Sequence, residues 1–355
     1  MTMTDTSLLP ALPPTCKAGV VNEFGPEFEV LVQDVAIPLH ATGLCYSDIH
    51  YMSEDFPLPR MKDHGVRSPG HEGAGVVVGV GSEVTDWKAG DRAGIAPTWD
   101  TCMSCELCSS NMECHCACAV PTGLKVPGTY QQYLLSPARY TSRIPEGVDD
   151  LTAGPIMCSG STMYRSLVES GLRDGQWAVF IGAAGGVGHM GVQIAKAMGL
   201  RVIGIDGGEG KRDLCLQLGC GEFVDFRHSS DIAGEVIGLT DGKGAHGVFV
   251  TASSPSGYSI APRMARIGGK VMCIGLPSLG TAIAGDDPTF LVLRNLKIIG
   301  TLTRSRQDTA EALALAARGL LKPIYETFSI DELSIALDKL RQGKVNGRCV
   351  VDFTP

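Results

Sequence analysis

Positive charge is scarce in this chain. Its 355 residues hold 30 Lys and Arg against 38 Asp and Glu, a formal net charge of −8. Binding nucleic acid or an anionic membrane needs a basic face, so neither partner is expected. Long apolar runs are missing as well, since none approaches the roughly 18 residues that cross a bilayer. The opening MTMTDTSLLPALPP has neither a basic n-region nor a continuous apolar core. No secretory signal is read there, and a cytoplasmic location is expected. Internal repeats and low-complexity stretches are absent too.

What is present is enough to bury sizeable cores. The chain is 44% hydrophobic, and its length suggests two domains. Thirteen cysteines without an export signal fit a reducing compartment, with thiols serving as ligands or as small buried hydrophobes. A single cysteine such as Cys215 or Cys349 reads as core packing.

The first 150 residues are rich in Gly, Pro and short β-like runs, among them 73–81, read as a strand with tight turns. The pattern then changes. An apolar strand at 177–181 runs into the glycine turn GAAGGVG at 182–188. A helix follows, with Val187, Met190, Ile194 and Met198 at helical spacing. Strand 201–205 is closed by Asp206. Helices near 209–218, 231–239 and 257–266 alternate with strands 223–225, 247–250 and 271–274. Such alternation predicts a parallel, doubly wound α/β sheet. Residues 296–300 could add a sixth strand, and helices near 307–318 and 332–342 with strand 349–353 return to the first domain. The expected division is 1–159 with 296–355 for a β-rich domain, and 160–295 for a dinucleotide-binding domain.

Three groups of residues carry chemistry. Cys102, Cys105, Cys108 and Cys116 form C-x2-C-x2-C-x7-C, a spacing that can close around a structural zinc ion. Cys114, His115 and Cys118 lie so close that the fourth ligand could shift by two residues. Cys45, His71 and Cys158 are scattered, but two thiols and one imidazole have the composition of an open catalytic zinc site, a Lewis acid toward an alcohol or carbonyl oxygen. The glycine turn is a weak signal alone. Its strand, its helix and Asp206 about twenty residues on make it a dinucleotide site. Gly182, Gly185, Gly186, Val187 and Gly188 would let the backbone approach a pyrophosphate at a helix N-terminus. Asp206 would accept from the adenosine ribose and repel a 2′-phosphate, favouring NAD. Lys211 and Arg212 could soften that discrimination.

These residues resemble the zinc-dependent alcohol dehydrogenases of the medium-chain dehydrogenase/reductase superfamily, in particular the yeast-type branch. The resemblance runs from about Lys17 to Phe353. It is carried by GLCYSDIH at 43–50, GHEGAG at 70–75, the cysteine cluster, GPIMCSG at 154–160, GAAGGVG, IDGGEGK at 205–211 and NGRCVVD at 346–352. It implies a GroES-like domain with two zinc ions, a Rossmann domain binding NAD, an alcohol or aldehyde substrate and a homo-oligomer, tetramer or dimer. Cys45, His71 and Cys158 then look like the catalytic zinc ligands, with Glu72 a nearby carboxylate that can visit the metal. The family spacing settles the structural set on Cys116. Asp48 matches the carboxylate that holds His71, and Ser47 and His50 fall where the family places a proton relay to solvent. Lys211, Ile274 and Arg348 join the cofactor contacts, Arg348 at the pyrophosphate.

The chain also departs from that pattern. Tyr46 stands where a basic residue is usual, and the loop 60–68 is longer. Pro97 and Phe56 replace bulky aromatics at pocket positions, which with Leu276 beside the nicotinamide predicts a substrate larger than ethanol. About ten residues are missing between Pro38 and Leu39, unless 29–33 takes the lost strand's place. A zinc-free quinone or enoyl reductase, and a non-catalytic zinc- and nucleotide-binding relative, are the alternative readings.

Overall fold

The computed structural model describes residues 16–354 except 25–28, 36–38, 58 and 304. The chain enters through β1 (Cys16–Glu23) and β2 (Glu29–Val35), an antiparallel pair that forms a sheet of its own. Next come β3 (Ala41–Gly43), β4 (Gly73–Val76) and β5 (Arg92–Ile95). A small ribbon follows, β6 (Thr98–Asp100) with β7 (Val120–Pro121), and then β8 (Ser142–Arg143). Six strands are mutually parallel: β9 (Trp177–Ile181), β10 (Arg201–Asp206), β11 (Glu222–Asp225), β12 (Ala245–Val250), β13 (Ala265–Cys273) and β14 (Lys297–Gly300). Finally β15 (Tyr325–Ser329) and β16 (Arg348–Asp352) return to the first domain, whose sheet runs β15-β16-β3-β4-β5-β8.

The parallel sheet has the order β11-β10-β9-β12-β13-β14. Strands covered on both faces read as continuous apolar runs, and β9 (WAVFI) is buried at every position. Phe180 and Phe249 stack across β9 and β12 with centroids 4.8 Å apart. The strand order reverses between β9 and β12, which leaves a crevice beyond their carboxyl ends. One sequence expectation is corrected here. Because Lys297 to Gly300 pair with Lys270 to Cys273, the parallel sheet runs past the boundary expected at 295.

Two further expectations change. The strand predicted over 73–81 stops at Val76, because its partner chain turns at Gly90 (φ +91) just before β5 begins. The expected gap near Pro38 falls beside β3, which is three residues long and is bonded to β16 on one side and β4 on the other. Residues 29–33 do not replace a lost strand. They lie in β2, which pairs antiparallel with β1. Pro38 itself lies outside the described residues.

The link between the domains is helical: Asp150–Pro155, a π-helical turn Ile156–Gly160, then Ser161–Ser170. Asp149 caps its start by accepting from Thr152 N–H at 2.7 Å. Sequence patterning did not assign this helix, and its π-turn carries Cys158.

Candidate active site and a second sulfur cluster

Cys45 caps the helix Tyr46–Ser53, directly after β3. His71 and Glu72 precede β4, and Cys158 approaches from the π-turn. Ligand atoms of Cys45, His71, Glu72 and Cys158 all lie within 4.8 Å of one another. Asp48 is fully buried behind them. Its Oδ2 accepts from Cys45 N–H at 3.1 Å and from the Tyr130 hydroxyl at 2.9 Å. Its Oδ1 lies 2.8 Å from His71 Nδ1, close but without a well-aligned hydrogen bond. That leaves His71 Nε2 as the nitrogen available to a ligand. The Cys158 thiol shares its proton with Cys45, holding Cys45 well below the ordinary thiol range and pushing Cys158 up.

Glu72 is completely buried, and burial pushes its carboxyl up to about 7 even though Arg348 opposes the shift. One oxygen pairs with the Arg348 guanidinium, while Oε2 has no hydrogen-bond partner. A buried carboxylate oxygen left free among two thiols and an imidazole fits a cation. Glycine is required at position 43, because any Cβ there would collide with the Glu72 carboxylate.

The second cluster is contained in one loop. Sulfur separations are 3.9 Å for Cys102–Cys108, 3.6 Å for Cys105–Cys108, 3.7 Å for Cys105–Cys116 and 3.5 Å for Cys102–Cys116. Zinc–sulfur bonds of ~2.3 Å in a tetrahedron give edges of ~3.8 Å, so these four thiols match zinc. Backbone N–H groups of Ser104 and Cys105 hold Cys102 down to about 6. Cys118 contributes its N–H to Cys116 Sγ at 3.3 Å, and Cys116 is the fourth member of the cluster.

The Cys45–Cys158 cluster opens into a cleft of about 830 Å³ between the domains. Ser47, Tyr46 and His50 line one side. Gly182, Gly185, Gly186 and Val187 line the other, with Gly182 at φ +84 where a Cβ would press on Ala252. Gly188 begins the helix behind this turn. Asp206 ends β10 in the cleft wall, where its carboxylate accepts from Ala184 N–H (3.0 Å), Gly207 N–H (2.9 Å) and Lys211 Nζ (2.9 Å). Arg348 lies against the glycine turn, where a Cβ on Gly186 would meet its Cδ at 2.8 Å, and its far end is turned to Glu72. Ile274 and Leu276 complete the inner wall.

Some predicted residues stand elsewhere. Pro97 does not line the cleft. It borders a separate small cavity with Tyr140 and Thr303. Phe56 also lies off the wall, stacked on the His50 imidazole at 4.0 Å. His50 is 3% exposed with both ring nitrogens engaged, so the expected step from its ring to solvent is closed in this conformation. Sequence reasoning missed Tyr130, Asp55, Phe226 and Leu302. The first two are far from Asp48 in sequence or unremarkable in spacing, and only folding joins them to the site. Phe226 and Leu302 each follow a strand end, a position that α/β folds use for ligands and that could have flagged them.

Comparison with known proteins agrees with this geometry. Residues 32–146 match the family model of the alcohol dehydrogenase GroES-like domain, and residues 186–318 that of the zinc-binding dehydrogenases. Alcohol dehydrogenase 1 of Neurospora crassa is 41% identical over 322 residues, covering 90% of this chain and 89% of the relative. Among solved structures, the alcohol dehydrogenase of Aeropyrum pernix superposes with a TM-score of 0.85 at 22% identity, over 95% of this chain and 99% of that one, a likeness of fold. Acetophenone reductase from Geotrichum candidum, solved in complex with NAD, gives a TM-score of 0.82 at 28% identity over 97% and 98% of the two chains. Both domains and nine-tenths of the length are thereby accounted for, and the chain belongs to the zinc-binding alcohol dehydrogenase family.

Proposed function

We propose that this protein interconverts an alcohol and an aldehyde or ketone, with NAD as hydride carrier. The observation that carries the reading is spatial: the Cys45–His71–Cys158 cluster and the glycine turn with Asp206 open on one cleft. Cys45, His71 and Cys158 would hold the catalytic zinc, and Cys102, Cys105, Cys108 and Cys116 the structural one. Zinc, when bound, supplies a Lewis acid that makes an alcohol more acidic, and NAD supplies the hydride acceptor. The chain's own residues do the rest. Ser47 at the cleft receives the alcohol's proton, and His50 carries it onward once its ring leaves the contacts with Asp55 and Leu276. Asp48 fixes the His71 ring, and Glu72 waits behind with its free oxygen. Ile274, Leu276 and Leu302 keep the inner wall apolar. Arg348 and the glycine turn hold the pyrophosphate, while Asp206 accepts from ribose hydroxyls and repels a 2′-phosphate at close range. NAD is therefore preferred over NADP. Comparing kcat/KM for the two cofactors tests this, and Asp206→Gly should narrow the gap mainly by improving NADP use.

A substrate larger than ethanol is still favoured, now on different residues. With Pro97 and Phe56 off the wall, the apolar surface of Leu276 and Leu302 supports it, each buried methylene contributing roughly 0.8 kcal/mol. A kcat/KM series from ethanol to benzyl and cinnamyl alcohols decides the matter, and ethanol as best substrate refutes it. The partner of the chain is a second copy of itself. β14 ends the parallel sheet, and near it Leu279, Ile283, Val292 and Leu293 are 70–88% exposed. An open strand edge beside apolar side chains is a surface that proteins cover. No helix of the described residues is long and apolar enough to cross a membrane. Cys45, Cys158, Cys215, Cys220 and Cys349 are free thiols rather than disulfides, which supports a reducing, cytoplasmic setting. Native mass spectrometry gives zinc count and oligomer size together.

A further inference from the structure

The ends of β10 and β11 are held side by side. Asp206 and Asp225 pair in register, and Phe226 N–H donates to the Asp206 main-chain oxygen at 3.1 Å. The Asp225 carboxylate then accepts from Arg227 N–H and from Gly208 N–H, each at 2.9 Å. This brings the Arg227 side chain over the turn that follows Asp206. A Cβ on Gly207 would meet Arg227 Nε at 2.6 Å and the Phe226 ring at 2.8 Å. A Cβ on Gly208 would meet Arg227 Nη1 at 2.9 Å. The guanidinium therefore lies against the Gly207–Gly208 main chain, in a space that two glycines leave open.

The cations around Asp206 are not equivalent. Lys211 Nζ is bound to Asp206 Oδ1 at 2.9 Å, so its charge is already set against that carboxylate. Arg212 belongs to the helix Glu209–Leu218 beyond the turn. Arg227 reaches the turn itself from the neighbouring strand, and it is exposed. A carboxylate at this strand end takes the ribose hydroxyls, and an arginine nearby is what accommodates a 2′-phosphate. We propose that Arg227 is a specificity-determining residue that pairs with a phosphate at the 2′ position of the adenosine ribose. This rests on the reading of the cleft as a dinucleotide site. A planar guanidinium offers a phosphate two parallel N–H donors, which a lysine held by Asp206 does not. Asp206 and Arg227 thus act in opposite senses on one position of the ligand. Asp206 makes NAD the preferred cofactor, and Arg227 sets how much NADP is admitted. Removing Asp206 then uncovers a phosphate site that is already furnished, so Asp206→Gly gains NADP rather than merely losing NAD.

The test is calorimetric binding of NADPH and NADH to the zinc-loaded, full-length protein, with no turnover required. Asp206→Gly should bind NADPH more tightly than wild type. Adding Arg227→Ala to it should weaken NADPH about tenfold, as for one hydrogen bond to a charged group, and NADH less than about twofold. Arg227→Ala alone should leave NADH binding within the same limit. The salt dependence of NADPH binding should also become shallower once the guanidinium is gone. Arg212→Ala, added to Asp206→Gly in the same way, should change neither ligand. Equal losses of NADH and NADPH on Arg227→Ala would mean that the residue only supports the turn, and they overturn the proposal. An NADPH loss carried by Arg212→Ala instead, or no gain of NADPH in Asp206→Gly, overturns it too. Each of those results leaves the dinucleotide site standing. Wild type that binds no NADH overturns the dinucleotide reading, and the proposal with it.

Discussion

The two sulfur clusters are built in opposite ways. Cys102, Cys105, Cys108 and Cys116 sit within one loop, half-exposed except for Cys116, and backbone N–H groups shape them locally. Cys45, His71, Glu72 and Cys158 come from three separate elements and are almost wholly buried. The loop cluster holds its own geometry, and a metal there would act mainly as a staple. The buried cluster depends on everything around it: Asp48 behind His71, Tyr130 behind Asp48, and Arg348 behind Glu72. A site assembled over that distance is only as good as the packing that delivers each part.

The sharpest way to break this contrast is to remove one thiol from each cluster. Cys158→Ala should lower kcat by more than about a thousandfold while the melting temperature stays close to wild type, since one ligand of an open site is gone. Metal analysis should find one zinc lost. Cys105→Ala should also lose one zinc, but its main effect should be a fall in Tm of roughly 10 °C with loosening of the loop. If the two variants exchange these phenotypes, the assignment of the clusters is reversed.

Acid should separate the two regions as well, through a residue in neither. His189 is completely buried under the glycine turn, with Nδ1 on Gly185 O at 2.9 Å and Nε2 accepting from Ile324 N–H at 3.1 Å. Burial, with the Arg348 charge adding to it, pushes this imidazole from 6.5 down to about 4. The unfolded chain therefore takes the proton first. Stability that is fully present above pH 6.5 is lost as the pH falls toward about 4, by about 3 kcal/mol. His189→Gln, measured by urea melts across that range, should flatten this part of the acid limb. Because the residue pins the chain leading through β15 to Arg348, the buried cluster should lose order before the loop cluster does.

The same contrast explains what could be read from sequence. Regular spacing exposed the loop cysteines, and alternating apolar runs exposed the parallel sheet, because both are local patterns. Cys45, His71 and Cys158 could be named from their chemistry and from family resemblance, but not from spacing. What surrounds them was invisible. The π-turn that carries Cys158 has no propensity signature, and His50 meets Leu276, and Asp55 meets Ser278, only because two domains close on each other. Pro97 shows the opposite error. A position carried over from relatives kept its place in the chain, but a short proline ring lines a different cavity.

The gentlest probe of the comparison is Tyr130→Phe. The Tyr130 hydroxyl is fully buried and donates to Asp48 Oδ2 at 2.9 Å, the oxygen that also takes Cys45 N–H. Deleting it leaves a same-shaped ring and removes one hydrogen bond to a buried carboxylate, a loss of about 2 kcal/mol shared between folding and the orientation of His71. Partners at this remove from a metal typically change affinity by about 10–100-fold, and Asp48 keeps two contacts, so about tenfold is expected. Chelator competition that distinguishes the two zinc ions measures it. Only the ion at Cys45, His71 and Cys158 should come away faster, while the loop ion is unmoved. Equal loss from both sites would mean that Tyr130 supports the domain as a whole, and that the buried cluster is less dependent on its surroundings than its geometry implies.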